Sequence, residues 1–100
     1  MEETKSAYVV ANITILDQNK WAEYRSKVGT TLTPWGAELI FRGKKVEVLS
    51  GENVHTDTVV IRFPSLKALN NWMKSDAYQA LIPIREQGAK MDLTTYQSQS

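Results

Sequence analysis

Five side chains stand out as able to bind or polarise a small molecule: Asn12, Arg42, Trp72, Tyr78 and Arg85. Asn12 interrupts the apolar run Ala7–Leu16, where an unpaired amide would cost about 1 to 3 kcal/mol, so it needs a partner. That partner is either a backbone or partner-subunit group, or a ligand in a pocket. Arg42 and Arg62 lie near the ends of predicted strands, and Arg85 follows Pro83. Each can pair with Glu38, Glu47 or Asp92, or use its planar fork to hold a carboxylate. Trp72 and Tyr78 fall on helix faces turned toward the sheet, where they either pack the core or wall a small-molecule site. His55 stands in a polar loop with no carboxylate or nucleophile implied beside it, and reads as a surface histidine.

Composition removes several other chemistries. The chain has 100 residues with no Cys and one His, which leaves no thiolate nucleophile, no disulfide and no thiolate zinc site, and argues against an all-protein transition-metal site. Its five glycines are scattered, so no phosphate-cradling loop is expected, and no serine occupies a Gly-x-Ser-x-Gly elbow. Twelve basic against eleven acidic residues give a net charge of +1, too little to attract nucleic acid or an anionic membrane. The acidic opening Met1-Glu-Glu-Thr-Lys5 argues against an export signal, and no apolar run reaches the roughly 18 residues of a membrane span, so a cytoplasmic location is expected. With 42% hydrophobic residues, the chain should fold as one domain over 7–96, with flexible ends at 1–6 and 97–100.

The elements that must position these side chains are marked by local signals. Ala7–Leu16 is rich in Val, Ile, Tyr and Thr and predicts a strand. Asp17 can cap a helix in which Trp21, Tyr24, Val28 and Leu32 share one face, ending before Thr33-Pro34-Trp35-Gly36. Ala37–Arg42 predicts a second strand, with Lys44–Leu49 as its continuation or a short further strand. Asp57–Phe63 predicts another, stopped by Pro64. Ser65 and Ser75 can cap helices, Pro83 forces a kink or restart, Gly88 ends the last helix, and Met91–Tyr96 predicts an edge strand.

This order suggests an α+β, ferredoxin-like sandwich: an antiparallel sheet with its helices on one face. In the first strand Val9, Ala11, Ile13 and Ile15 have one parity, while Tyr8, Val10 and Leu16 have the other. A sheet covered on one side alternates with polar residues, so apolar residues of both parities imply that the second face is buried too. A two-fold homodimer with sheets face to face would do this.

The segments Tyr8–Ile15, Tyr24-Arg25, Gly36, Arg42-Gly43, Val46–Leu49 leading to Gly51, Phe63-Pro64-Ser65, Trp72–Ser75, Tyr78-Gln79-Ala80 and Ile84-Arg85 together resemble the domain-of-unknown-function family 1330, over Ala7 to Tyr96. The resemblance implies subunits that pair as a dimeric α/β barrel. Arg62 stands where the family pattern has Glu. The wider group includes cofactor-free monooxygenases, polyketide cyclases, muconolactone isomerases and haem-degrading enzymes. The haem degraders resemble this chain at Asn12, Trp72 and Ser75-Asp76. Where they carry an iron-binding His, however, this chain has Ile82, which cannot ligate iron.

The expectation is a small aromatic or anionic organic molecule bound or transformed between helices and sheet, with no metal or nucleotide cofactor. Asn12 would orient a carbonyl or hydroxyl, Trp72 and Tyr78 would stack on the apolar part, and Arg42 or Arg85 would neutralise an acid. Cofactor-free oxygenation, cyclisation and isomerisation are the enzymatic alternatives, and a binding module in which these residues are core is the other.

Overall fold

The computed structural model describes residues 5–99. The parts of the expected flexible ends at 1–4 and 100 lie outside the described residues. The chain runs through β1 (Ala7–Ile15), α1 (Gln18–Leu32), a 3-10 turn (Thr33–Trp35), β2 (Glu38–Lys44), β3 (Asp57–Phe63), α2 (Leu66–Lys74), α3 (Asp76–Gln79), α4 (Ile82–Gly88) and β4 (Ala89–Gln97). The strands form one antiparallel sheet in the order β2-β3-β1-β4. Both crossovers place their helices on the same face, giving the ferredoxin-like α+β sandwich. Pairing of the first and last strands continues beyond β4, where Ser98 N–H donates to the Ser6 carbonyl at 3.0 Å.

The helix boundaries follow the chemistry of their caps. The Asp17 carboxylate accepts from Asn19 N–H (2.9 Å) and Lys20 N–H (3.1 Å), satisfying donors that the first turn of α1 leaves free. The Ser65 hydroxyl does the same for Ala68 N–H, and Ser75 for Tyr78 N–H. Pro83 sits in the first turn of α4, where its missing N–H costs nothing, so the chain restarts a helix there. Gly36 follows the 3-10 turn at φ +68°, a left-handed conformation that a Cβ would strain.

Two expectations about this part of the chain are corrected. Lys44–Leu49 is not a strand beyond Lys44, and residues 45–56 form a long connection tied at its base by Lys45 N–H to Thr56 O (2.7 Å) and Thr56 N–H to Ile13 O (2.9 Å). The alternating Val46-Glu47-Val48 pattern is strand-like, but nothing in the single chain offers it a ladder. Val46 and Leu49 are 94% and 90% exposed. The second correction concerns His55, which is 5% exposed and buried at the root of this connection.

The core lies between the sheet and the helices. Val9, Ala11, Ile13, Ile61 and Phe63 point from the sheet into Trp21, Tyr24, Leu32, Leu69, Trp72, Tyr78 and Leu81 of the helical layer. The opposite parity, Tyr8, Val10, Asn12 and Thr14 on β1, forms the uncovered face, together with Val60, Phe41 and Tyr96 on neighbouring strands. The molecule is thus two layers thick, 16 Å along its shortest axis.

Candidate functional site

A cavity of about 150 Å³ lies between α1 and the sheet. On α1, the lining residues Trp21, Tyr24, Arg25, Val28, Gly29 and Leu32 recur at three- and four-residue intervals, a single helical stripe. The floor is β-sheet: Val9, Ala11 and Ile13 of β1, Val59 and Ile61 of β3, with Met91 and Leu93 of β4. The space exists because short side chains, Ala11 and Val59 among them, lie beneath a helix that carries no side chain at Gly29. A Cβ built there would meet nothing within 4 Å.

Aromatic rings form the inner wall. Trp72 and Tyr78 pack with centroids 4.1 Å apart, and Trp21 stacks on Tyr24 at 5.4 Å. The polar tips of Trp72, Tyr24 and Tyr78 are held. Trp72 Nε1–H donates to Thr31 Oγ1 at 3.0 Å, and Thr31 Oγ1 donates in turn to the Val28 carbonyl at 2.7 Å. The Tyr24 and Tyr78 hydroxyls share a hydrogen bond of 2.9 Å, and Arg85 Nη1 donates to Tyr78 Oη at 2.9 Å. Burial, reinforced by the Tyr78 phenol and opposed by Arg85, pushes the Tyr24 phenol well above its ordinary value, so Tyr24 stays protonated. The result is a chain of guanidinium and two phenols set into an apolar wall.

Arg25 and Arg42, with Gly29 and Leu39, are the exposed lining residues where the cavity meets solvent. Both arginines also line two adjoining depressions, one with Ala22 and Ser26, the other with Gln18, Lys44 and Asp57. Partial burial, and then the neighbouring Arg25 guanidinium, lower Arg42 from its usual value.

Of the five residues proposed from sequence, the structure brings Arg42, Trp72 and Tyr78 to the cavity. Arg85 reaches the site only through the Tyr78 hydroxyl, from a depression on the far side shared with Leu16 and Glu86. Asn12 is not there. It has the parity of the uncovered face, opposite Thr58 and Asp92, and its Oδ1 accepts from Thr58 Oγ1 at 3.0 Å. A position beneath the helices is excluded for it by the two-residue period of the strand.

His55 also departs from its expected surface role. Its Nε2 lies 2.7 Å from Asp92 Oδ2 and its Nδ1 lies 3.0 Å from Thr14 Oγ1, so the ring ties the 45–56 connection to β1 and β4. Arg62 pairs with Glu38, as the ion-pair reading allowed. Sequence reasoning placed Trp21 and Tyr24 on one face of the first helix without seeing that they wall a cavity, and gave Arg25 no role there. The spacing of Arg25 beside Tyr24, and of Gly29 beside Val28, was the available signal.

Residues 6–98 match the family described as a domain of unknown function (DUF1330). The chain belongs to this family. Among curated proteins none matches it. Solved structures share its fold at low identity. A protein of unknown function from Rhodopseudomonas palustris has a TM-score of 0.82 at 12% identity, over 99% of this chain and 85% of that one. A dabb family protein with a ferredoxin-like fold from Mesorhizobium loti has a TM-score of 0.71 at 10% identity, over 97% and 100%. SnoaB, a cofactor-independent oxygenase from Streptomyces nogalater, has a TM-score of 0.68 at 6% identity, over 97% and 96%. At these identities the likeness establishes the fold. No helix of the described residues is long and apolar enough to cross a membrane.

Proposed function

We propose that this DUF1330 protein binds a small aromatic molecule in the cavity between α1 and the sheet, working as a homodimer. The observation that carries this reading is the aromatic-walled, solvent-connected cavity itself. An apolar space of about 150 Å³ admits a molecule the size of benzene. The stacked rings offer it a geometry worth more than area burial alone. The reading invokes neither a metal nor a nucleotide.

The test is occlusion. Gly29→Leu adds a side chain where open space stands, leaving the packed core untouched. Single-ring probes such as phenol and 3-phenylpropanoate should quench tryptophan fluorescence and raise the melting temperature of the native chain, and Gly29→Leu should abolish both effects while melting cooperatively itself. Probes without effect on the native chain, or equal effects on both proteins, refute the reading.

A homodimer is supported by the uncovered sheet face, where Phe41 is 54% exposed beside Val60, Val10 and Tyr8, and by the bare apolar side chains of the 45–56 connection. A second copy of the same face would bury these groups. A second reading, cofactor-free transformation of the bound molecule, is favoured by the Arg85–Tyr78–Tyr24 chain. There the guanidinium polarises a phenol that could exchange a proton with a ligand. The fold shared with SnoaB is consistent with it. Oxygen uptake with quinol probes tests this second reading, and Tyr78→Phe should remove turnover but leave fluorescence quenching in place.

A further inference from the structure

We propose that Arg25 and Arg42 form a two-guanidinium clamp at the cavity mouth that selects a single-ring aromatic carboxylate, with the ring inside and the carboxylate at the rim. The proposal rests on the small-molecule reading above and names its ligand class. The two arginines come from different elements, α1 and β2, yet both line the cavity and both line the two depressions that adjoin it. They are neighbours of like charge. Among the described residues neither forms an ion pair, whereas Arg62, one strand over, is neutralised by Glu38. Neither guanidinium has a hydrogen-bond partner among those residues, while Arg85 is occupied by Tyr78.

Two neighbouring cations without an anion between them repel, and a third, negative group relieves that repulsion. Asp57 lines the outer depression, but it shares that depression with Lys44 as well as the two arginines and accepts from Thr56 Oγ1 at 2.7 Å. The local balance at the rim therefore remains cationic. Guanidinium forks recognise a planar carboxylate through paired N–H donors, and the aromatic wall behind them takes the apolar remainder. One apolar compartment with two cationic groups at its mouth fits an amphiphile with one ring and one acid group. A fully polar anion would leave the aromatic wall unused, and a neutral hydrocarbon would leave the arginines unused.

The test compares 3-phenylpropanoate with its neutral isostere 3-phenylpropanamide by tryptophan quenching and calorimetry, on the native chain and on Arg25→Gln and Arg42→Gln. Both positions are exposed, so each variant should melt as the native chain does. The expected result is that the acid binds about tenfold or more tightly than the amide, that either substitution removes most of this preference, and that amide affinity stays unchanged. Equal binding of acid and amide by all three proteins would overturn the clamp while leaving the cavity reading standing. Weakening of both probes by the same factor would likewise overturn it, by showing that the arginines shape the cavity without reading charge. Absence of binding by either probe to the native chain would overturn the small-molecule reading and the clamp with it.

Discussion

Alkaline pH should weaken this protein through Tyr24. In the unfolded chain a tyrosine phenol ionises near pH 10. In the folded chain Tyr24 is held well above that, first by burial and then by the Tyr78 phenol 2.9 Å away. Below pH 10 the phenol is protonated in both states, and Tyr24 adds no pH dependence. Above it the unfolded state releases the proton while the folded state keeps it, so stability falls by up to about 1.4 kcal/mol per pH unit. From pH 10 to 11.5 that amounts to about 2 kcal/mol, or roughly 8 to 16 °C of melting temperature in a domain of this size. The assay is thermal unfolding by circular dichroism between pH 9 and 11.5, on the native chain and on Tyr24→Phe. The variant keeps the ring that stacks on Trp21 and meets Tyr78 edge-on. It loses one hydrogen bond, so it should begin about 0.5 to 1.5 kcal/mol less stable at neutral pH. Other groups titrate in the same range, so the readout is the difference between the two slopes. The variant should decline less steeply above pH 10. Parallel curves would refute the claim that the folded state protects this proton.

Three further outcomes are expected. Gly88→Ala should destabilise the fold by about 1 to 3 kcal/mol in urea titration, because overpacking forces its surroundings to shift. The new Cβ would lie 2.7 Å from Trp21 N, a backbone atom that cannot swing aside. His55→Ala should free the 45–56 connection, seen as faster hydrogen exchange at the Lys45 and Thr56 amides, since the ring's bonds to Thr14 and Asp92 are lost. Phe41→Glu should convert the proposed homodimer to a monomer in light scattering, by placing a charge on the uncovered sheet face without entering the core. A variant dimer would show that the assembly uses another surface.

The elements were legible wherever one residue type decides the backbone. Asp17, Ser65 and Ser75 capped helices as their hydroxyl and carboxylate chemistry requires, and Pro83 restarted a helix where a proline can begin one. The site was less legible because its parts meet across long stretches of chain. His55 is 37 residues from Asp92 and 41 from Thr14, so no local spacing could announce the pair. The face of Asn12, by contrast, was within reach. Strand parity already set it apart from Val9, Ala11 and Ile13 and grouped it with Tyr8 and Val10. The missing fact was that Trp72 and Tyr78 cover the odd-numbered face. Arg25 was passed over because an arginine on a helix is ordinarily a solvated charge, and only the placement of Arg42 across the cavity mouth gives it company.

The cavity itself argues that the space has a use. Unfilled apolar volume forgoes packing contacts, and this space of about 150 Å³ is left open to solvent. The chain leaves the space open by small means: Ala11 on the floor, and Gly29 in the middle of α1, where glycine is itself about 0.5 to 1 kcal/mol worse than alanine. A larger residue at Gly29 would meet no steric objection, so packing does not explain the glycine. Gly29 lies beside Arg25 and Val28 on the stripe that borders the cavity. The same division explains the sheet. The face of Val9, Ala11 and Ile13 is roofed by helices that stop short of filling the space beneath them, and the opposite face, with Tyr8, Val10, Val60 and Phe41, has no helical layer over it. On the proposed reading one face takes a small ligand and the other a second copy of the chain.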